Sequence, residues 1–272
     1  MLEFSIINRL TPWEKELDSS SNQVSLNISV RITDKGVEGV RPLLQPELLP
    51  FKPVTIGLDS GKEVAYSSIN DPVGFILSEL RNKPMLTLSG VKKTENDFPE
   101  MISFGLVEKG TAGGITYYTS YNKSFQENKD LIISLLPKGA VRQAFFYATA
   151  YSRLINARNY FLYKYKKGLN TFINEHREKQ VDISDRPGRQ TTFNNTFFFK
   201  GAAEYWFGRD FFEVFSKEKL LEFPHAVEIK EVNDDLVKIR LFDSPFSGLK
   251  PEEIELHRLL REYLGVDRSN AS

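Results

Sequence analysis

The run NQVSLNISVRI, residues 22–32, constrains this chain more than any other feature. Val24, Leu26, Ile28, Val30 and Ile32 fall on one side of it; Ser25, Asn27, Ser29 and Arg31 fall on the other. A period of two is the repeat of a β-strand, whose successive side chains point to opposite faces. The chain must therefore build a sheet with an apolar face and supply something to cover that face.

The rest of the sequence supplies both. MLEFSII reads as a first strand, and TPWEKELD as a short turn or helix. RPLLQPELLPFKP, residues 41–53, carries four prolines, which break helices and deny donors to a sheet, so it reads as an extended connection. DPVGFILSELRNKP, residues 71–84, opens with an aspartate cap and a proline at the first helical position. Phe75, Ile76 and Leu80 follow at helical spacing. MLTLSG continues as a strand, residues 101–121 as a hairpin around a glycine-rich turn, and DLIISLLP as a further strand. Residues 139–167 read as one long central helix, with Val141, Phe145, Ala148, Ser152 and Ile155 three or four apart and Gly168 at its end. Residues 226–242 form a hairpin turning at Asn233–Asp234. Residues 250–265 form a helix from Pro251 to Gly265 with Leu256, Leu259, Leu260, Tyr263 and Leu264 on one face. The expected fold class is α+β, with a largely antiparallel sheet, several hairpins, the long central helix and a C-terminal helix. Residues 1–272 read as a single domain. The polar stretch 175–192 is the place where sub-structures 1–174 and 190–272 would join.

Several classes of chemistry drop out. The chain has no cysteine, which removes disulfides, thiolate metal sites and thiol nucleophiles. Lysine plus arginine equals aspartate plus glutamate, 36 against 36, so no global field steers it to nucleic acid or an anionic membrane. No apolar stretch reaches bilayer length and the N-terminus lacks a signal-peptide pattern, so a cytoplasmic location is expected. No nucleophile elbow, phosphate-binding loop or dinucleotide fingerprint occurs, and no cofactor is expected. Gly110–Gly114 fits a hairpin turn better than a phosphate cradle. The three histidines, His176, His225 and His257, lack metal-site spacing and read as structural, with His257 at the surface edge of the last helix.

Three groups of residues remain as candidate sites. In AEYWFGRDFFEVF, Asp210 and Glu213 have capping-box spacing, so the stretch reads as a strand, a turn at Gly208 and a helix running to about Glu222. Trp206 is the residue this junction does not require. With Tyr205 and Arg209 it has the composition of an interface anchor, although it could also fill the core. The second group lies in an acid-free tract, residues 131–174. Its cations Arg142, Arg153, Arg158, Lys164, Lys166 and Lys167 interleave with aromatic residues, the composition of a single-stranded nucleic-acid-binding helix. Equally, it suits a core helix facing the acidic C-terminal part, where 15 acids meet 10 bases from Glu204 onward. The third group, His176, Glu178, Asp182 and Asp185, would serve an enzyme through acid–base work, or simply form a solvated loop.

ISFGLVEKG, LIISLLP, AEYWFGRDFFEVFSKEKLLEFPHA and the hairpin VEIKEVNDDLVKIRLFDSPF together resemble a class of bacterial immunity proteins that neutralise polymorphic toxins. The resemblance spans roughly residues 101–264. It implies a non-enzymatic cytoplasmic inhibitor whose protein partner is a toxin or effector, bound so that its active site is occluded.

Overall fold

A computed structural model describes residues 22–31, 36–83, 85–91, 99–106, 113–148, 201–246 and 251–265, together with the backbone of four short strands between residues 171 and 199. In chain order the strands are β1 (Gln23–Val30), β2 (Thr55–Leu58), β3 (Glu63–Ala65), β4 (Met85–Ser89), β5 (Met101–Leu106), β6 (Gly113–Ser120) and β7 (Val141–Ala148). They continue as β8 (Thr171–Ile173), β9 (Lys179–Val181), β10 (Thr191–Phe193), β11 (Phe197–Phe199), β12 (Glu204–Gly208), β13 (Glu228–Asn233) and β14 (Leu236–Arg240). The α-helices are α1 (Pro72–Asn82), α2 (Lys123–Ser134), α3 (Arg209–Phe212), α4 (Lys217–Leu221) and α5 (Pro251–Leu264). Ten strands form one sheet in the order β13-β14-β12-β7-β1-β6-β5-β4-β2-β3. Every neighbouring pair is antiparallel. The α+β class and the largely antiparallel sheet are as expected.

The alternation in β1 is obeyed. Val24, Leu26, Ile28 and Val30 sit in a core with Phe104, Ile115, Tyr117, Phe146 and Trp206 on the same sheet face. That face is covered by α1 through Ile76, Leu77 and Leu80, by α2 through Phe125, Ile132 and Ile133, and by the 3-10 segment Gly36–Leu44. On the opposite face, Phe145 and Tyr147 of β7, Tyr205 and Phe207 of β12, and Val237 and Ile239 of β14 form a second core. Phe211 of α3, Leu220 of α4, and Leu260 and Leu264 of α5 close it. Beyond β7 this second face is polar: Asn27 lies beside Thr116, and Thr116 beside Ser103.

Three expected elements differ. Residues 141–148 are strand β7, not the start of a helix, and every side chain in it is buried. A strand packed on both faces is a continuous apolar run, in which three- and four-residue spacings arise without a helix. The remainder of the expected helix, with Gly168, lies outside the described residues. DLIISLLP belongs mostly to helix α2, started by the Asn122 side chain, which accepts from the Phe125 amide at 2.7 Å. Only Phe125, Lys129, Ile132 and Ile133 of α2 are buried, the spacing of one helical stripe. Much of the proline-rich stretch is 3-10 helix, at Gly36–Leu44 and Pro46–Leu48. The fixed backbone of Pro42 is compatible with that conformation, and Leu43 and Leu44 are buried. The expected first strand and TPWEKELD lie outside the described residues. Helix α1 forms as expected, with Asp71 accepting from the Gly74 amide at 3.0 Å. Helix α5 also forms, and Gly265 follows it at φ +76°, donating to the Arg261 carbonyl.

Candidate partner-binding groove

Strand β12 lies between β7 and β14, so its alternation sends neighbouring rings to opposite cores. Tyr205 is fully buried in the second core, edge-on to Phe145 at 5.7 Å and stacked on Phe207 at 5.4 Å. Its hydroxyl accepts from the Ala202 amide at 2.9 Å and meets His257 Nδ1 at 3.0 Å. Trp206 is 1% exposed, in the first core, with the Lys238 ammonium 5.2 Å from its ring. The reading of Tyr205 and Trp206 as partner anchors is therefore corrected: both rings are interior. Trp206→Ala would open the core before it could report on a partner.

The expected capping box is corrected as well. Helix α3 starts after Gly208, and no side chain caps it. The Asp210 carboxylate turns inward instead, where Arg142 Nε donates to it at 2.5 Å and Arg31 donates to its other oxygen. Helix α3 ends at Phe212, and α4 begins anew after Ser216, whose hydroxyl accepts from the Lys219 amide. Arg142 is 5% exposed and committed to Asp210, so it is not available to a phosphate backbone. Arg153, Arg158, Lys164, Lys166 and Lys167 lie outside the described residues. The same is true of His176, Glu178, Asp182 and Asp185.

Arg209 alone of the first group reaches the surface. It lines an open groove of about 530 Å³ with Lys138, Phe212, Glu213, Asp234 and Asp235. Three pieces of chain bring these together. Lys138 precedes Gly139, whose φ of +72° turns the chain from α2 into β7. Arg209, Phe212 and Glu213 come from α3 and its end. Asp234 and Asp235 form the β13–β14 turn, which is held by the Asn233 side chain accepting from the Asp235 amide at 2.9 Å. Lys138 and Asp234 stand 3.8 Å apart, both exposed. Lys217 braces one wall: its ammonium donates to Glu231 at 2.6 Å and to the Asp234 carbonyl at 2.9 Å, 5.8 Å from the Phe212 ring. Val214, two residues after Phe212 in the chain, is 44% exposed. The groove thus sets both signs of charge around an aromatic side chain. Such an arrangement can seat a polar protein surface around one apolar contact, and its three carboxylates repel a polyanion.

Two buried clusters went unread in the sequence. Glu204 of β12, 2% exposed, stands 3.2 Å from Lys129 of α2 and 3.0 Å from Lys238 of β14. Lys238 also donates to Asp130 at 2.8 Å. Burial works to lower the Lys238 ammonium, yet Glu204 and Asp130 together carry its pKa above the usual value. These lysines fall on lines that look like ordinary polar positions, and no spacing pairs them. The second cluster corrects the surface reading of His257. Its side chain is fully buried, and burial, with the nearby Arg261 charge second, lowers its pKa to about 3. Among the described residues no group of three or more His, Asp or Glu side chains could hold a metal, and no helix is long and apolar enough to cross a membrane. Comparison with family profiles, characterised proteins and solved structures finds no match to this chain.

Proposed function

We propose that this chain is a non-enzymatic binding protein of the immunity type, which occludes a toxin or effector protein in the cytoplasm. The groove around Arg209 carries the reading. Its two cations, three carboxylates and half-buried Phe212 offer a polar rim about an aromatic contact, the anatomy of a protein interface. The resemblance to toxin-neutralising immunity proteins supports it, since two of the stretches that carry it, AEYWFGRDFFEVF and the following hairpin, supply walls of this groove. Mechanistically, Phe212 and Val214 would enter an apolar recess of the partner, while Arg209, Lys138 and the turn carboxylates pair with charges at its edge. The bound chain then blocks access to the partner's active site by its bulk.

The test compares the full-length protein with Arg209→Glu and Asp234→Lys, using exposed Lys62→Glu on the far edge of the sheet as control. Each is used as bait in source-cell extract, and the captured partner is titrated against each purified chain. One stoichiometric protein partner should bind the wild type and the control equally. Each groove variant should weaken it tenfold or more with an unchanged circular dichroism spectrum. A partner that binds all four alike would place the interface elsewhere. Capture of nucleic acid alone, released by salt, would replace the reading.

A further inference from the structure

The ten-stranded sheet ends in two edges of unequal length. Strand β3 offers three residues, while β13 offers six and pairs only with β14 among the described residues. Hydrogen bonding fixes which groups of β13 lie on the open side. The Leu241 amide donates to the Ala203 carbonyl, so Leu241 is turned toward β12 and its neighbour Arg240 toward β13. The Arg240 carbonyl accordingly accepts from the Val227 amide at 2.9 Å. Arg240 lies opposite Glu228, and Lys238 opposite Lys230. Antiparallel partners alternate between bonded and non-bonded pairs, so Glu228 and Lys230 bond to β14. The amides and carbonyls of Ile229 and Glu231 therefore point outward, and such a row is a template for another strand.

The side chains decide which strand fits. No proline interrupts β13, and its straight run is Glu228–Glu231, ended by the irregular pairing that follows Glu231. A second copy of this chain, docked edge to edge about a two-fold axis, pairs that run with itself in the antiparallel sense. Centring the pair on Glu228, Lys230 or Glu231 sets a charge directly opposite its own kind, which destabilises a sheet. Centring it on Ile229 sets Glu228 opposite Lys230 of the second copy, and Lys230 opposite its Glu228. Both side chains reach solvent: Lys230 is exposed, and Glu228 is 37% exposed although it also meets Arg240 at 3.1 Å. In this register Ile229, whose amide and carbonyl point outward, meets its own counterpart, so charge and backbone agree.

We propose that the open edge of β13 is a self-association surface, through which two copies of this chain join in the Ile229-centred register as one continuous sheet. A single strand pair buries little surface, so the dimer is weak and forms as concentration rises. It carries the Arg209 groove twice, once on each copy.

Sedimentation equilibrium of the full chain at low ionic strength, from micromolar to near-millimolar concentration, tests the dimer. The wild-type mass should rise from one chain toward two. Lys230→Glu makes the run acidic and Glu228→Lys makes it basic, so each variant alone should stay a single chain. An equimolar mixture of the two should dimerise again, because the acidic strand of one then faces the basic strand of the other. A wild type that remains one chain throughout overturns the proposal. So does a dimer that either variant retains alone, or a mixture that associates no better than its components. If a variant does not fold, hydrogen exchange of the wild type decides. The Ile229 and Glu231 amides should gain protection as concentration rises, while those of Glu228 and Lys230, already bonded to β14, keep theirs unchanged. Exchange at Ile229 and Glu231 that is indifferent to concentration overturns it.

Discussion

Gly208 shows how far a single residue governs the approach of two strands. A Cβ placed there would lie 2.0 Å from the Val141 carbonyl oxygen and 2.8 Å from that of Arg142. Its backbone is ordinary extended chain, so the requirement is for space and not for an unusual conformation. Gly208→Ala must push β12 away from β7 at the point where Asp210 reaches Arg142. A loss of about 1–3 kcal/mol, the common cost of overpacking, is expected in urea denaturation. An unchanged midpoint would mean that the strands separate there without cost. The sequence marks Gly208 as a turn, but turn and close approach leave the same letter. Likewise, Tyr205, Trp206 and Arg209 stand together in one aromatic run, and only the position of β12 between two other strands decides which of them meets solvent. A ring on an edge strand and a ring on a central strand read alike.

At the scale of elements, the buried ions join α2, β12 and β14. Glu204 is the single buried carboxylate between two buried lysines, so Glu204→Gln leaves Lys129 without its ion pair and Lys238 with only the half-exposed Asp130. Breaking a buried pair on one side costs about 3–5 kcal/mol. Asp130→Asn removes a partner that is 51% exposed and should cost less than about 1 kcal/mol. Chemical denaturation of the two variants side by side checks the ratio, and equal losses would show that water reaches Glu204. Elements whose pattern is periodic were legible: β1 by its alternation, α1 and α5 by their end signals. Helix α2 was less so, because its buried stripe includes Lys129, a residue type that reads as solvent-facing until Glu204 is seen opposite it. Strand β7 failed for the opposite reason, since burial on both faces erased the alternation that identifies a strand.

At the scale of the molecule, two cores lie on the two faces of one sheet, and β7 and β12 feed both. Ala144 and Phe146 enter the first core and Phe145 and Tyr147 the second; Trp206 enters the first and its neighbours Tyr205 and Phe207 the second. Composition registers a change of character at the polar stretch 175–192 but not which strands pair across it. Strands β12 and β14, which follow that stretch, pair in the same sheet as β7 and β1, which precede it. No side chain of β7 or β12 can leave one core without shifting the backbone that supports the other. Leu26→Ala in the first core and Ile239→Ala in the second should therefore each move the same unfolding transition, by about 2–5 kcal/mol, the usual cost of a large cavity. Tryptophan fluorescence and far-ultraviolet circular dichroism should give coincident urea curves for the wild type and both variants. Two resolved transitions, each moved by only one of the substitutions, would show instead that the cores fold independently and that the shared strands do not transmit the loss.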